Sequence, residues 1–121
     1  MYEINVETHF FASHQLILAD GSKEPPHEHI WEVTASVSSE KLNSMGIVMD
    51  FRELRKMIDE ILAPFEKKVL NNFEYFQKNN TSAEHVAKFI FEELAPQLPE
   101  NVKLSGISVV EAPGCIAKFQ R

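Results

Sequence analysis

The chain has 121 residues, enough for one domain with a modest core and near the size where association between copies often adds stability. Its 44% hydrophobic and 25% charged content is that of a globular protein, and a formal charge of −6 with scattered basic residues argues against a nucleic-acid partner. The single cysteine, Cys115, excludes an internal disulfide, and no apolar run approaches membrane length; with a start (Met-Tyr-Glu-Ile-Asn) unlike a signal peptide, a cytoplasmic address is expected.

From Glu3 to Ala12 the even positions Ile4, Val6, Thr8, Phe10 and Ala12 share one parity, which predicts a strand, and His14 falls next on it. His9 lies on the opposite parity and reads as structural. Gln15 to Pro26 is a loop marked by Asp20-Gly21 and Pro25-Pro26, long enough to suggest function. Its Asp20, Lys23 and Glu24 are each either solvated loop residues or groups leaning over a site. A second strand follows, with His27, His29, Trp31, Val33, Ala35 and Val37 on one face. Pairing the two as an antiparallel hairpin brings His14, His27 and His29 to one end of a buried sheet face. Three imidazoles with a fourth position open suit a catalytic zinc site; the other reading is ordinary histidines hydrogen-bonded near strand ends.

Asp50 followed by Glu53 predicts a capped helix start, and Phe51, Leu54, Met57, Ile58, Ile61 and Leu62 recur at helical spacing until Pro64. Residues 65–80 read as connection, with Phe65, Val69, Leu70 and Phe73 packing. Thr81 with Glu84 repeats the capping signature for a second helix to about Leu94, closed by Pro96 and Pro99. His85, in its first turn, reads as solvent-facing. Two more strands are predicted, about Val102 to Glu111 and Cys115 to Gln120, split by Ala112-Pro113-Gly114. Glu111 extends the apolar parity of Ile107 and Val109, so its carboxylate needs either a structural Arg or Lys or a ligand offering N–H donors.

In order and spacing these landmarks resemble the 6-pyruvoyl-tetrahydropterin synthase and 6-carboxytetrahydropterin synthase family over nearly the whole chain. Phe11-Ala12-Ser13-His14 looks like its first ligand motif, His27-Glu28-His29 like its His-Gly-His pair, and Met45-Gly46-Ile47-Val48-Met49-Asp50-Phe51 like its Gly-hydrophobic-Asp-Phe segment. Leu70-Asn71, Ser82-Ala83-Glu84 and Val109-Val110-Glu111-Ala112 match three further landmarks. The resemblance implies an α+β tunnelling fold of ββααββ order, a two-layer four-stranded antiparallel sheet with two helices on one face. It also implies a homo-oligomer, trimer-based and up to a hexamer, whose sheets join into a β-barrel with active sites between subunits. By the same resemblance His14, His27 and His29 bind zinc, and Glu111 anchors a pterin through its amino and ring N–H groups. The implied activity is a zinc-dependent lyase or synthase acting on dihydroneopterin triphosphate or a related pterin.

The departures fall on the proton-transfer groups. Where the family carries a catalytic cysteine four residues before its His pair, this chain has Lys23, and at the places of its Asp-His dyad it has Glu66 and Lys67. Cys115 lies in the last strand and does not by position replace the thiol. One branch of the family uses a glutamate near the cysteine position and leaves a hydroxymethylpterin. Glu24 is the nearest candidate for that base, the other reading being a plain surface carboxylate. The alternative to an enzyme is an altered homologue that binds zinc and a pterin or purine without turning it over.

Overall fold

In the computed structural model, which describes residues 1–121, the two alternating N-terminal segments form long strands, β1 (Tyr2–His14) and β2 (His27–Ser39). They pair antiparallel from Tyr2 opposite Ser39 to His14 opposite His27. The two-residue repeat then sorts the side chains by face. Val6, Phe10, Ala12 and His14 on β1, with Trp31, Val33, Ala35 and Val37 on β2, are buried, while Asn5, Glu7, His9, Glu28 and Glu32 are exposed on the other face. Two later strands, β4 (Lys103–Ala112) and β5 (Cys115–Phe119), extend the sheet, β4 pairing antiparallel with β2 and β5 with β4. The turn between them runs through Pro113 and Gly114, whose φ of 78° is one that side chains rarely adopt.

The register slips at the end of β4. Val110 faces Ile116 and Ala112 faces Cys115, so Glu111 is the extra residue of a bulge. Bulges bend a strand locally and re-aim a side chain, and they gather beside functional sites.

Two amphipathic helices cover the buried face. The first, α1 (Phe51–Leu62), starts where the sequence predicts: Asp50 Oδ1 accepts from the Arg52 backbone N–H at 2.8 Å. It buries Leu54, Ile58 and Leu62, and Pro64 turns its end into a short 3-10 segment, Ala63–Phe65. The longest later helix, α3 (Ala83–Leu94), buries Ala83, Val86, Ala87, Ile90, Phe91 and Leu94 against the same core. Its cap is Ser82, whose hydroxyl accepts from the His85 N–H at 3.1 Å, one residue later than the Thr81 signature suggests. Thr81 is fully buried instead, and its carbonyl is used elsewhere.

The expected four-stranded antiparallel sheet with two helices on one face is therefore present, with two short additions in the segment read as connection. Lys68–Val69 forms β3, parallel to β1 at Ala12 and Ser13, which makes the sheet order β3-β1-β2-β4-β5. A single helical turn and a half, α2 (Glu74–Lys78), follows it. The chain enters β3 through Lys67, a non-glycine residue at φ 59° whose N–H donates to the Phe11 carbonyl at 2.6 Å. No helix is long and apolar enough to cross a membrane.

Candidate metal centre

Each of the three sequence-predicted histidines is placed by a strand end. His14 closes β1 and His27 opens β2 directly opposite it, while His29 sits opposite Ala12 on the same face. Beneath them the next residue on that face, Trp31, is fully buried, and its ring centroid lies 4.6 Å from that of His14 and 4.3 Å from that of His29. The indole N–H donates to the Ala12 carbonyl at 3.2 Å, so the aromatic floor is itself tied to the sheet.

The hydrogen bonds on the outer ring nitrogens decide what the inner ones offer. His14 Nδ1 lies 2.7 Å from the Thr81 carbonyl oxygen, and His29 Nδ1 lies 3.0 Å from that of Ile30. A carbonyl only accepts, so both rings carry their proton on Nδ1 and present a lone pair at Nε2 when neutral. Burial pushes the His14 imidazole below its ordinary value, against the opposing pull of the Thr81 carbonyl and the Glu111 carboxylate, and so favours that neutral form.

The inner nitrogens converge on Glu111. Its Oε1 lies 3.2 Å from His14 Nε2 and 3.5 Å from His27 Nε2, and its Oε2 lies 3.7 Å from His29 Nε2. His14 Nε2 and His27 Nε2 are 2.8 Å apart, and one proton on His27 can bridge them. That proton still leaves His29 Nε2 and Glu111 Oε2 buried with no partner. Buried polar atoms are normally paired, and a cluster of acceptors short of protons calls for a cation. The four ligand atoms lie within 4.8 Å of one another, so His14, His27, His29 and Glu111 form a group that could hold a metal ion, and imidazole with carboxylate is a donor set that suits zinc.

Of the loop residues, Glu24 reaches the cluster from outside. Its Oε1 accepts from the Leu16 N–H at 3.1 Å and lies 3.8 Å from His27 Nδ1, the nitrogen that faces away from Glu111. Asp20 turns back on its own loop, accepting from the Ser22 N–H and hydroxyl, which hold its carboxyl below the usual range. Lys23 bridges to Ile17. Neither Asp20 nor Lys23 joins the group. His9 lies exposed on the outer sheet face, and His85 is half-buried, its Nδ1 2.8 Å from the Asn80 carbonyl oxygen. Glu66 accepts from the Phe11 N–H at 3.3 Å, so the two residues at the dyad places are engaged with the β1 backbone.

A cavity of about 320 Å³ opens beside the cluster, walled by His14, Leu16, Ser82, Glu84, Glu111 and Cys115 among others. Two residues that the sequence reading places elsewhere, Thr81 as a cap and Cys115 in the last strand, take part here. Thr81 acts through its backbone carbonyl, which no side-chain pattern marks. Cys115 reaches the cavity because the tight turn folds β5 back beside Glu111, a placement set by the hairpin.

Comparison with known proteins gives the family and the fold. A family profile described as 6-pyruvoyl tetrahydropterin synthase matches residues 3–121. A 6-carboxy-5,6,7,8-tetrahydropterin synthase of Rickettsia felis is 26% identical over 128 residues, covering 90% of this chain and 93% of that protein. A dihydroneopterin monophosphate aldolase of Pyrococcus furiosus is 31% identical over 88 residues, covering 73% of this chain and 72% of that protein. The solved structure of Caenorhabditis elegans 6-pyruvoyl tetrahydropterin synthase superposes with a TM-score of 0.86 at 21% identity, covering 99% of this chain and 95% of that one. The chain belongs to the 6-pyruvoyl tetrahydropterin synthase family.

Proposed function

We propose that this protein is a zinc-dependent pterin lyase or synthase acting on dihydroneopterin triphosphate or a related pterin. The observation that carries the reading is the convergence of three imidazole Nε2 atoms and a carboxylate beside a cavity, with His29 Nε2 and Glu111 Oε2 buried and unpartnered. His14, His27 and His29 would hold the zinc, which when bound would polarise the oxygens of a pterin side chain. Glu111 would accept the pterin's amino and ring N–H groups in charge-assisted hydrogen bonds. Glu24, pinned by the Leu16 N–H and followed by Pro25-Pro26, would serve as the base that takes a proton from the side chain. The relatives support the substrate class, since they include a tetrahydropterin synthase and a dihydroneopterin phosphate aldolase. A homo-oligomer built on trimers is part of the same reading.

Turnover of dihydroneopterin triphosphate by zinc-loaded protein, with the product identified, tests this directly. Formation of a pyruvoyl, carboxy or hydroxymethyl pterin is the expected result; no conversion of any dihydropterin would overturn it. A second reading, a pterin- or purine-binding module without catalysis, is favoured by one observation: at the places of the family's dyad the Glu66 carboxylate accepts from the Phe11 N–H, and Lys67 is held there by its own backbone N–H on the Phe11 carbonyl. Pterin binding without turnover would select it.

A further inference from the structure

An anchor for a pterin edge should aim its oxygens into the cavity where N–H donors will arrive, but both oxygens of Glu111 face imidazole nitrogens, at 3.2, 3.5 and 3.7 Å. We propose that in the substrate-free protein Glu111 is a fourth ligand of the metal, so that the resting site is closed and a pterin must draw this carboxylate away to enter. The proposal rests on the zinc reading and goes beyond it, since that reading leaves the fourth position open and gives Glu111 to the substrate alone.

Three observations carry it. Zinc bonds of about 2.0–2.1 Å place the corners of a tetrahedron roughly 3.3 Å apart, and Glu111 Oε1 lies 3.2 Å from His14 Nε2 and 3.5 Å from His27 Nε2, with Oε2 3.7 Å from His29 Nε2. The carboxylate has no other counter-charge: its ion pairs are with the three histidines alone, so no Lys or Arg comes within 4.0 Å of it. A carboxylate with a buried, unpartnered oxygen and no Lys or Arg beside it is costly, and a metal removes the cost. Finally, Glu111 stands on the β4 bulge, the single place where the strand departs from its register with β5. Glu111 keeps the parity of the buried Ile107 and Val109, and the bulge bends the strand where its side chain meets the cluster.

Metal sites with four protein ligands are closed and structural, while catalytic ones hold three and keep a place for substrate. A carboxylate that belongs to both sets gives one site both states. At rest it keeps the metal in place and shields it from stray ligands. On pterin binding, the N–H donors of the ring compete for the same oxygens.

The test uses Co(II) in place of zinc, because its visible absorption reports the ligand set. Wild type, Glu111→Ala and Glu111→Gln are loaded without substrate, and zinc affinity is measured by competition with a chelator. The expected result is a different Co(II) spectrum in both variants and a loss of zinc affinity of more than roughly tenfold, the amount that even outer partners of ligands are worth. Adding 7,8-dihydroneopterin should shift the wild-type spectrum. Glu111→Gln keeps the side-chain volume and carries the test if Glu111→Ala does not fold, as judged by circular dichroism. Unchanged spectra and affinities in the variants, with stoichiometric Co(II) in wild type, would overturn the proposal and leave the zinc site standing. Failure of wild type to bind either metal would instead overturn the zinc reading itself.

Discussion

His27 is flanked by two carboxylates, Glu111 at 3.5 Å on the Nε2 side and Glu24 at 3.8 Å on the Nδ1 side. The first shares the cluster and the second stands behind the ring, so removing each should have a separate effect. Glu24→Gln is expected to abolish turnover while zinc remains bound, read as rate against metal content; an unchanged rate would remove Glu24 from the mechanism. Trp31, the one tryptophan, lies under His14 and His29, so zinc addition to metal-free protein should change its fluorescence and saturate at one ion per chain. Flat fluorescence during a titration that loads the protein would contradict the stacking. At this scale the histidine cluster was legible because a period of two assigns faces without knowledge of the rest of the fold. The approach of Glu111 to it was not, since that depends on β4 pairing with β2 and on a bulge that alternation cannot show.

Among the elements, the two long helices and the four antiparallel strands were legible from periodicity and from Asp50 and the prolines at their ends, while the cap of α3 falls on Ser82 and not on Thr81. The additions, β3 and α2, span two and five residues, too short for a period to register, and they are held by tertiary contact. The start of α3 depends on a single hydroxyl, and Ser82→Ala should cost about 1 kcal/mol of unfolding free energy in urea titration. At α1 the charge is what can be tested. The Arg52 side chain and N–H hold the Asp50 carboxyl below its ordinary value of 3.8. A folded value below the unfolded one means that the unfolded chain binds more protons as the pH falls. The stabilisation is thus present above 3.8 and lost as pH drops through the folded value. Asp50→Asn keeps a good cap and deletes the charge, so its small gap in urea midpoint from wild type at neutral pH should close in acid. The pair is exposed, so salt should shrink the gap too.

Across the whole molecule, the sheet ends in strands with unpaired edges: β5 on one side, and β1 on the other, covered by β3 at Ala12 and Ser13 only. Such edges invite pairing with another chain. The cavity beside the cluster is walled by Cys115, Ile116 and Ala117 of that outermost strand, so a neighbour docking on β5 would help to enclose it. If copies associate through this edge, dilution below the dissociation constant should therefore lower turnover per chain, in step with loss of the oligomer in sedimentation; activity constant through dissociation would mean that each chain is complete. None of this was legible in the local pattern, which describes faces and not what meets an edge.

The outward face of the sheet decides what would line a ring of copies joined through their strand edges. Both long helices occupy one side, so a ring closed through the strand edges turns Glu7, His9, Glu28 and Glu32 toward its axis. Such a bore would carry these carboxylates together with Ile30, Ile116 and Lys118. The cavity is walled by Ser82, Ala83 and Glu84 at the start of α3, so a substrate would reach it from the helix side of the sheet, and such a bore would be a by-product of assembly.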